Sequence, residues 1–231
     1  MCGRYYLRSD KQRIAEAFRV EIPPTFDILP SYNIAPQTMQ PVVRLDHETG
    51  HRELVLMRWG LIPFWAKEAK ISYSTINARV ETLTTSAAFR EAVKYRRCLI
   101  PADGFYEWQH LGPKTTQPYA VALRDGSMFA FAGLWENWND TTTRERLETF
   151  TIITTEPNEL IHPLRGPILH DRMPAILAPA DYERWMAPAD PARLPTDLLR
   201  PFDATRMSAW KVSAAVGNVR NDSPELCREA L

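Results

Sequence analysis

Five strand-like runs in the middle of the chain, at residues 97–101, 105–109, 118–123, 128–135 and 149–155, constrain its fold more than any other feature. They follow one another too closely for long crossover helices, so most neighbours are expected to pair antiparallel. Arg124-Asp125-Gly126-Ser127, between two of them, reads as a hairpin turn. Further strands are expected at 52–59, 173–177 and 207–212. Helices are few. Ser9 or Asp10 can cap a short one whose Ile14 and Phe18 lie one turn apart; a second is expected over 86–93, and a third starts at 181–186. Pro23-Pro24 and the stretch from Pro30 to Pro41 read as an ordered, irregular crossing. There is no internal repeat and no long linker. The prediction is an α+β fold: a single compact domain over residues 1–231 on a mostly antiparallel, barrel-like β-sheet with flanking short helices.

Composition narrows the function classes. The formal net charge is +0, so any nucleic-acid site must be a local patch rather than a generally basic surface. Cys2, Cys98 and Cys227 are an odd set with no CxxC pair, which argues against a disulfide framework and a zinc site. No metal and no cofactor are expected, and a reducing, cytoplasmic setting suits the chain. The first twenty residues carry no apolar leader, and the apolar run at 128–135 is too short to span a bilayer, so no membrane partner is expected.

The chemistry concentrates in a few segments. Removal of Met1 would leave Cys2 with a thiol and a free α-amine on adjacent carbons, a pair no internal cysteine offers. The reference pKa values are about 8 for the amine and about 8.5 for the thiol, so both are partly nucleophilic at neutral pH. Such a terminus can perform acyl transfer, or it can capture an aldehyde as a Schiff base that the thiol closes into a thiazolidine. In Asn77-Ala78-Arg79-Val80-Glu81-Thr82, the Asn77 amide can position a reacting group and Arg79 can grip a phosphate. Glu107 stands between Tyr106 and Trp108 on an expected strand whose alternation groups it with Phe105 and Gln109. A carboxylate in apolar company has a raised pKa and suits acid–base work. His170, in a loop just before a strand, could shuttle protons, with His162 competing for that role. Arg58, Lys67, Lys70, Arg79, Arg90, Lys94, Arg96 and Arg97, interleaved with Phe64 and Trp65, supply phosphate neutralisation and base stacking for single-stranded nucleic acid. A solvated face over core aromatics would give the same pattern.

Together these segments resemble the SOS response-associated peptidase family of abasic-site processing proteins. The match runs in order through Met1-Cys2-Gly3-Arg4, Tyr32-Asn33-Ile34-Ala35-Pro36, Trp59-Gly60-Leu61-Ile62-Pro63, Asn77 to Thr82, Ala102-Asp103-Gly104-Phe105-Tyr106-Glu107-Trp108, His170-Asp171-Arg172-Met173-Pro174 and Ala215-Val216-Gly217-Asn218-Val219. The stretch from Glu156 to Leu169 is longer than the family pattern. The resemblance implies a covalent trap for abasic sites in single-stranded DNA, through a thiazolidine on Cys2. Met1 would be lost to an aminopeptidase or by self-cleavage, and peptidase and lyase activities come with the family. Glu107 would move protons, Asn77 would orient the terminus and the opened sugar, and His170 would assist at the sugar oxygen. Arg4, Arg79 and Arg90 would meet phosphates, while Pro36, Trp65 and Thr154 would line the DNA groove. A monomer is implied, cytoplasmic and nucleoid-associated when on DNA. Two other readings compete. One is an N-terminal-cysteine glutamine amidotransferase, a family that usually carries an Asn-Gly pair this chain lacks; the other is a non-catalytic single-stranded DNA-binding module.

Overall fold

The computed structural model describes residues 2–22, 26–46, 48–113, 115–140, 143–162 and 168–230, so the expectation for Pro23-Pro24 lies outside the described residues. In chain order the strands and α-helices are β1 (Tyr5–Leu7), α1 (Lys11–Phe18), β2 (Ser31–Ile34), β3 (Met39–Leu45), β4 (Arg52–Trp59), β5 (Asn77–Arg79), α2 (Ala92–Tyr95) and β6 (Arg97–Ala102). They continue as β7 (Gly104–Gly112), β8 (Thr115–Leu123), β9 (Phe129–Asn139), β10 (Arg146–Thr155), β11 (Met173–Pro174), β12 (Ile176–Leu177), α3 (Tyr182–Met186) and β13 (Met207–Lys211).

Five strands close a barrel in the order β10-β4-β3-β6-β9 and back to β10. Directions cannot alternate all the way around an odd ring, so one neighbouring pair must run parallel. That pair is β4–β10, joined at Thr149↔Arg58 and Phe150↔Trp59; the other four pairings are antiparallel. The predicted mostly antiparallel, barrel-like α+β domain is therefore what forms. Trp59 and Phe150 stack in the core with centroids 6.2 Å apart. Tyr5 meets Trp59 and Phe131 edge-on, tying the second sheet to the barrel. That sheet is antiparallel throughout, in the order β13-β8-β7-β1-β2.

The segment between β4 and β5 is the excursion that matters for function. β10 is flanked in parallel first by β4 and then, at Ile152↔Asn77 to Thr154↔Arg79, by β5. The chain leaves the barrel at Gly60 and returns at Asn77. Gly60 has φ +120°, and a Cβ there would stand 2.6 Å from the Ser72 carbonyl oxygen, so only glycine fits. The Thr75 hydroxyl donates to the Leu61 carbonyl at 2.5 Å and pins the neck of the excursion.

Four local expectations are corrected. The turn at 124–127 forms, with the Gly126 amide donating to Leu123, but it is a corner and not a hairpin. β8 pairs with β7 and β13, while β9 pairs with β6, β10 and β12. Turn chemistry sets a reversal but does not choose the partner sheet. The expected helix over 86–93 shrinks to α2, because the Ala87 carbonyl that would accept from residue 91 accepts from the Trp65 indole instead, at 3.2 Å. The stretch from Pro30 to Pro41 is less irregular than expected: it holds β2 and the start of β3. The strand expected at 173–177 splits at Ala175, which bonds to Ile153 on one side and to Ala132 on the other. Helix α1 forms as read, capped by Asp10 through Arg13, with Ile14 and Phe18 buried.

Ser9, the other cap candidate, is buried and serves Asp103. The Asp103 carboxylate accepts from the Arg8 and Ser9 amides at 2.7 and 2.8 Å and from the Ser9 hydroxyl at 2.8 Å. It thereby ties the end of β1 to the β6–β7 junction. Asp103→Ala should strand three donors and cost about 3 kcal/mol, lowering the melting temperature by roughly 6–12 °C. Thermal melting at neutral pH checks this, and a shift below 2 °C would contradict it.

Candidate active site

Strand pairing between two distant segments builds the centre of the site. β1 and β7 run antiparallel with Tyr5↔Phe105 and Tyr6↔Gly104. The close approach requires Gly104, whose Cβ would lie 2.2 Å from the Tyr6 hydroxyl. The Tyr106 amide bonds to the Arg4 carbonyl at 3.0 Å, so the same register carries residues 2–4 alongside Glu107. Cys2 is fully buried and Glu107 is 2% exposed. Burial pushes the Cys2 thiol well above its ordinary pKa; the charge of Glu107 adds to this, while the positive amino terminus and the Arg4 amide oppose it. Burial likewise pushes Glu107 up to about 8, against the pull of the amino terminus and with help from Asp171. Oε1 of Glu107 has no hydrogen-bond partner, so it is a buried polar atom open to a visiting group.

A second set of residues is assembled by β10. Asn77 is buried on β5 beside Ile152, with Nδ2 donating to the Ile76 carbonyl at 3.1 Å and Oδ1 unpartnered. Ile76 also accepts from the Trp59 indole at 2.8 Å, and Trp59 packs on Tyr5, which links Asn77 to the β1 side. Thr154 pairs with Arg79 on one side and Pro174 on the other; its hydroxyl is buried without a partner. His170 precedes β11, half-buried. Its Nδ1 lies 3.0 Å from the Arg172 amide and 2.7 Å from Asp171 Oδ1. These contacts belong to different protonation states, since the amide needs a lone pair and the carboxylate needs a proton. Burial and then the amino terminus lower the His170 pKa, which favours the neutral ring on the amide. Glu107 acts on Cys2, and Asp171 acts on both Glu107 and His170, so the three share one electrostatic neighbourhood.

The family model described as "SOS response associated peptidase (SRAP)" matches residues 1–219. The chain belongs to this family. It is 45% identical over 229 residues to the abasic site processing protein YoqW of Bacillus subtilis (strain 168), covering 98% of both chains. It is 34% identical to the abasic site processing protein HMCES of Gallus gallus, over 85% of this chain and 65% of that one. A crystal structure of a protein from Bacteroides thetaiotaomicron matches with a TM-score of 0.85 at 27% identity, covering 100% of each chain.

Against the SOS response associated peptidase pattern, three roles missed in the sequence become visible. Arg172 holds Glu81 at 2.7 and 3.0 Å and the Thr154 carbonyl at 2.6 Å, clamping the β5 segment to the loop of His170. Opposite charges in two motifs were the only signal for it. Asn33 accepts from Arg4 at 2.7 Å and donates to the carbonyls of Val216, Asn218 and Asn221, tying the segment around Asn33 to the one around Val216. The Tyr5 hydroxyl, buried near Cys2, has no partner.

The residues expected to meet DNA divide in two. Arg79 and Arg90 are exposed, and Trp65 is 49% exposed with its indole on Ala87, three residues before Arg90. Pro36 is half-buried in the β2–β3 turn. Arg4 is held internally by Asn33 and the Val216 carbonyl, and Thr154 is fully buried. The wider basic stretch is less basic than it reads. Arg96 pairs with Glu136 at 2.7 Å, Lys94 with Glu91 at 3.0 Å, and Arg97 is buried against the carbonyls of Val93, Lys94, Trp185 and Ala187. Residues 163–167 of the long stretch before His170 lie outside the described residues; Asn158 and the Leu169–Ile161 bond hold its two ends. Among the described residues no helix is long and apolar enough to cross a membrane.

Proposed function

We propose that the chain captures abasic sites in single-stranded DNA as a covalent thiazolidine on Cys2, after loss of Met1 gives that residue a free α-amine. The burial of Cys2 together with Glu107 carries this reading. A thiol held protonated by burial is a poor first nucleophile. That disfavours a thiolate-led amidotransferase and leaves the amine to attack first. The amine adds to the C1′ aldehyde of the opened sugar. Glu107, neutral below about pH 8, donates a proton to the departing hydroxyl, and water leaves an imine. The departing water leaves the imine protonated on nitrogen; the carboxylate then takes the thiol proton while sulfur bonds to the imine carbon, and the C=N electron pair returns to nitrogen as a neutral ring amine. The net change is the loss of one water, with no oxidant or reductant. The open Oδ1 of Asn77 can accept from the sugar or the amine, and neutral His170 can exchange a proton at the sugar oxygen.

The relatives named abasic site processing proteins support the substrate class. Ring closure also makes chemical sense. An open imine promotes strand β-elimination, whereas the saturated ring removes that electron sink, so the lesion is shielded rather than cut. The protein acts in this reading as a cytoplasmic monomer. The test is incubation with abasic single-stranded DNA followed by denaturing electrophoresis and mass spectrometry. The expected species is stable to heat and detergent, with the mass of DNA plus Met1-free protein minus one water. A readily reversible complex alone would refute the proposal.

Arg79, exposed two residues from Asn77, would contact a phosphate. Arg79→Ala should weaken binding of unmodified single strands severalfold and make the salt dependence shallower by about 0.7 in log–log slope. The rate at saturating DNA should stay near wild type. Fluorescence anisotropy and a single-turnover time course separate the two, and an unchanged slope would remove Arg79 from the groove.

A further inference from the structure

Seven arginines among the described residues are buried or half-buried: Arg4, Arg44, Arg52, Arg58, Arg96, Arg97 and Arg172. Six have partners in carboxylates, carbonyls or the Asn33 amide. Arg58 has none, and its Nε and Nη2 are buried without a hydrogen bond. A guanidinium in this state is unusual, because a buried charge ordinarily has a counter-ion or a ring of acceptors. Its surroundings do not supply one: Tyr73 is the one titratable side chain that acts on it.

Its place in the fold suggests what completes it. Arg58 lies on β4 at the parallel seam, between Met39 of β3 and Thr149 of β10. Successive residues of a strand face opposite sides, so while Trp59 packs inward on Tyr5 and Phe150, Arg58 faces outward. On that face Met39 is 47% and Leu56 40% exposed, and Tyr73, from the Gly60–Asn77 excursion, is 71% exposed. A dehydrated cation with an exposed ring beside it is suited to a backbone phosphate and its base.

We propose that Arg58 binds a backbone phosphate of the captured DNA strand, with Tyr73 beside it as a stacking platform for the adjoining base. This rests on the single-stranded DNA reading above. Folding has already stripped water from two of the three guanidinium nitrogens, so an arriving phosphate meets a partly preorganised charge rather than a fully solvated, mobile side chain.

The test uses unmodified oligo-dT, so that no covalent chemistry intervenes, with the wild type, Arg58→Gln and Arg58→Lys titrated over a range of salt. Arg58→Gln should bind roughly tenfold more weakly at low salt, as expected for losing one charge-assisted contact, with a log–log salt slope shallower by about 0.7. Arg58→Lys, which keeps the charge, should keep the slope. Thermal melting should show Arg58→Gln as stable as the wild type or more so, because the removed charge had no partner; a purely structural arginine would instead lower the melting temperature. Wild-type affinity and slope in Arg58→Gln would overturn the proposal while leaving the DNA reading intact. A wild-type protein that fails to bind the oligomer at all would overturn both.

Discussion

Cys2→Ala should reduce the denaturation-stable adduct with abasic single-stranded DNA to background, while a weak complex trapped by borohydride remains. The α-amine survives this substitution, so an imine still forms, but no sulfur is present to close the ring. Cys2→Ser should behave similarly, through at most a less stable oxygen ring. Extra residues ahead of Cys2 should be as damaging as removing the thiol, since the amine becomes an amide and cannot condense. Folding should survive Cys2→Ala, because deleting one buried sulfur costs about 1–2 kcal/mol. The comparison is therefore clean: equal melting curves within a few degrees, with adduct yield read on denaturing gels. A normal yield of heat-stable adduct in Cys2→Ala would disprove the thiazolidine.

The central strands were legible because each carries its own local record, whereas β1, β2 and β3 were not read as strands. β4 is read to the residue, and β6 to β10 are each found within a few residues, since β-branched and aromatic runs end at turn formers. Their partners were not legible. The 124–127 turn looks like a hairpin because its residues dictate a reversal, yet β9 follows the barrel and β8 the other sheet. Helix 86–93 fails for a similar reason, through a bond from Trp65 across a loop. The site shows the same split. Cys2 and Glu107 can be named as reactive types, but their burial together depends on a β1–β7 pairing about a hundred positions apart in sequence. Charge counting was the least transferable signal. Arg96 and Arg97 read as surface cations, but their partners are Glu136, two helix-end carbonyls and the carbonyls of Trp185 and Ala187.

Glu107→Gln should slow adduct formation by roughly 10²–10⁴-fold while single-stranded DNA binding is preserved. The side chain keeps its shape and can still hydrogen-bond, but it cannot give and then take a proton. Because burial raises Glu107 to about 8, the wild-type rate should show an inflection near that pH that the variant lacks. Stability should move the other way. A carboxyl whose folded pKa is raised contributes most to stability below its unfolded value of about 4.5, and that contribution is lost as pH rises through 8. Wild type and Glu107→Gln should therefore melt alike near pH 4, and the variant should melt several degrees higher near pH 9, where the wild type must bury an ionised carboxylate. Retaining such a group against folding is the mark of a side chain kept for chemistry. The decisive measurements are time courses of adduct yield from pH 6 to 9 and melting curves from pH 4 to 9 on both proteins. Superimposable rates in a well-folded variant would reduce Glu107 to a strand residue. Rates that differ without any pH-dependent gain in stability would instead show that its carboxyl is solvated and not raised by burial.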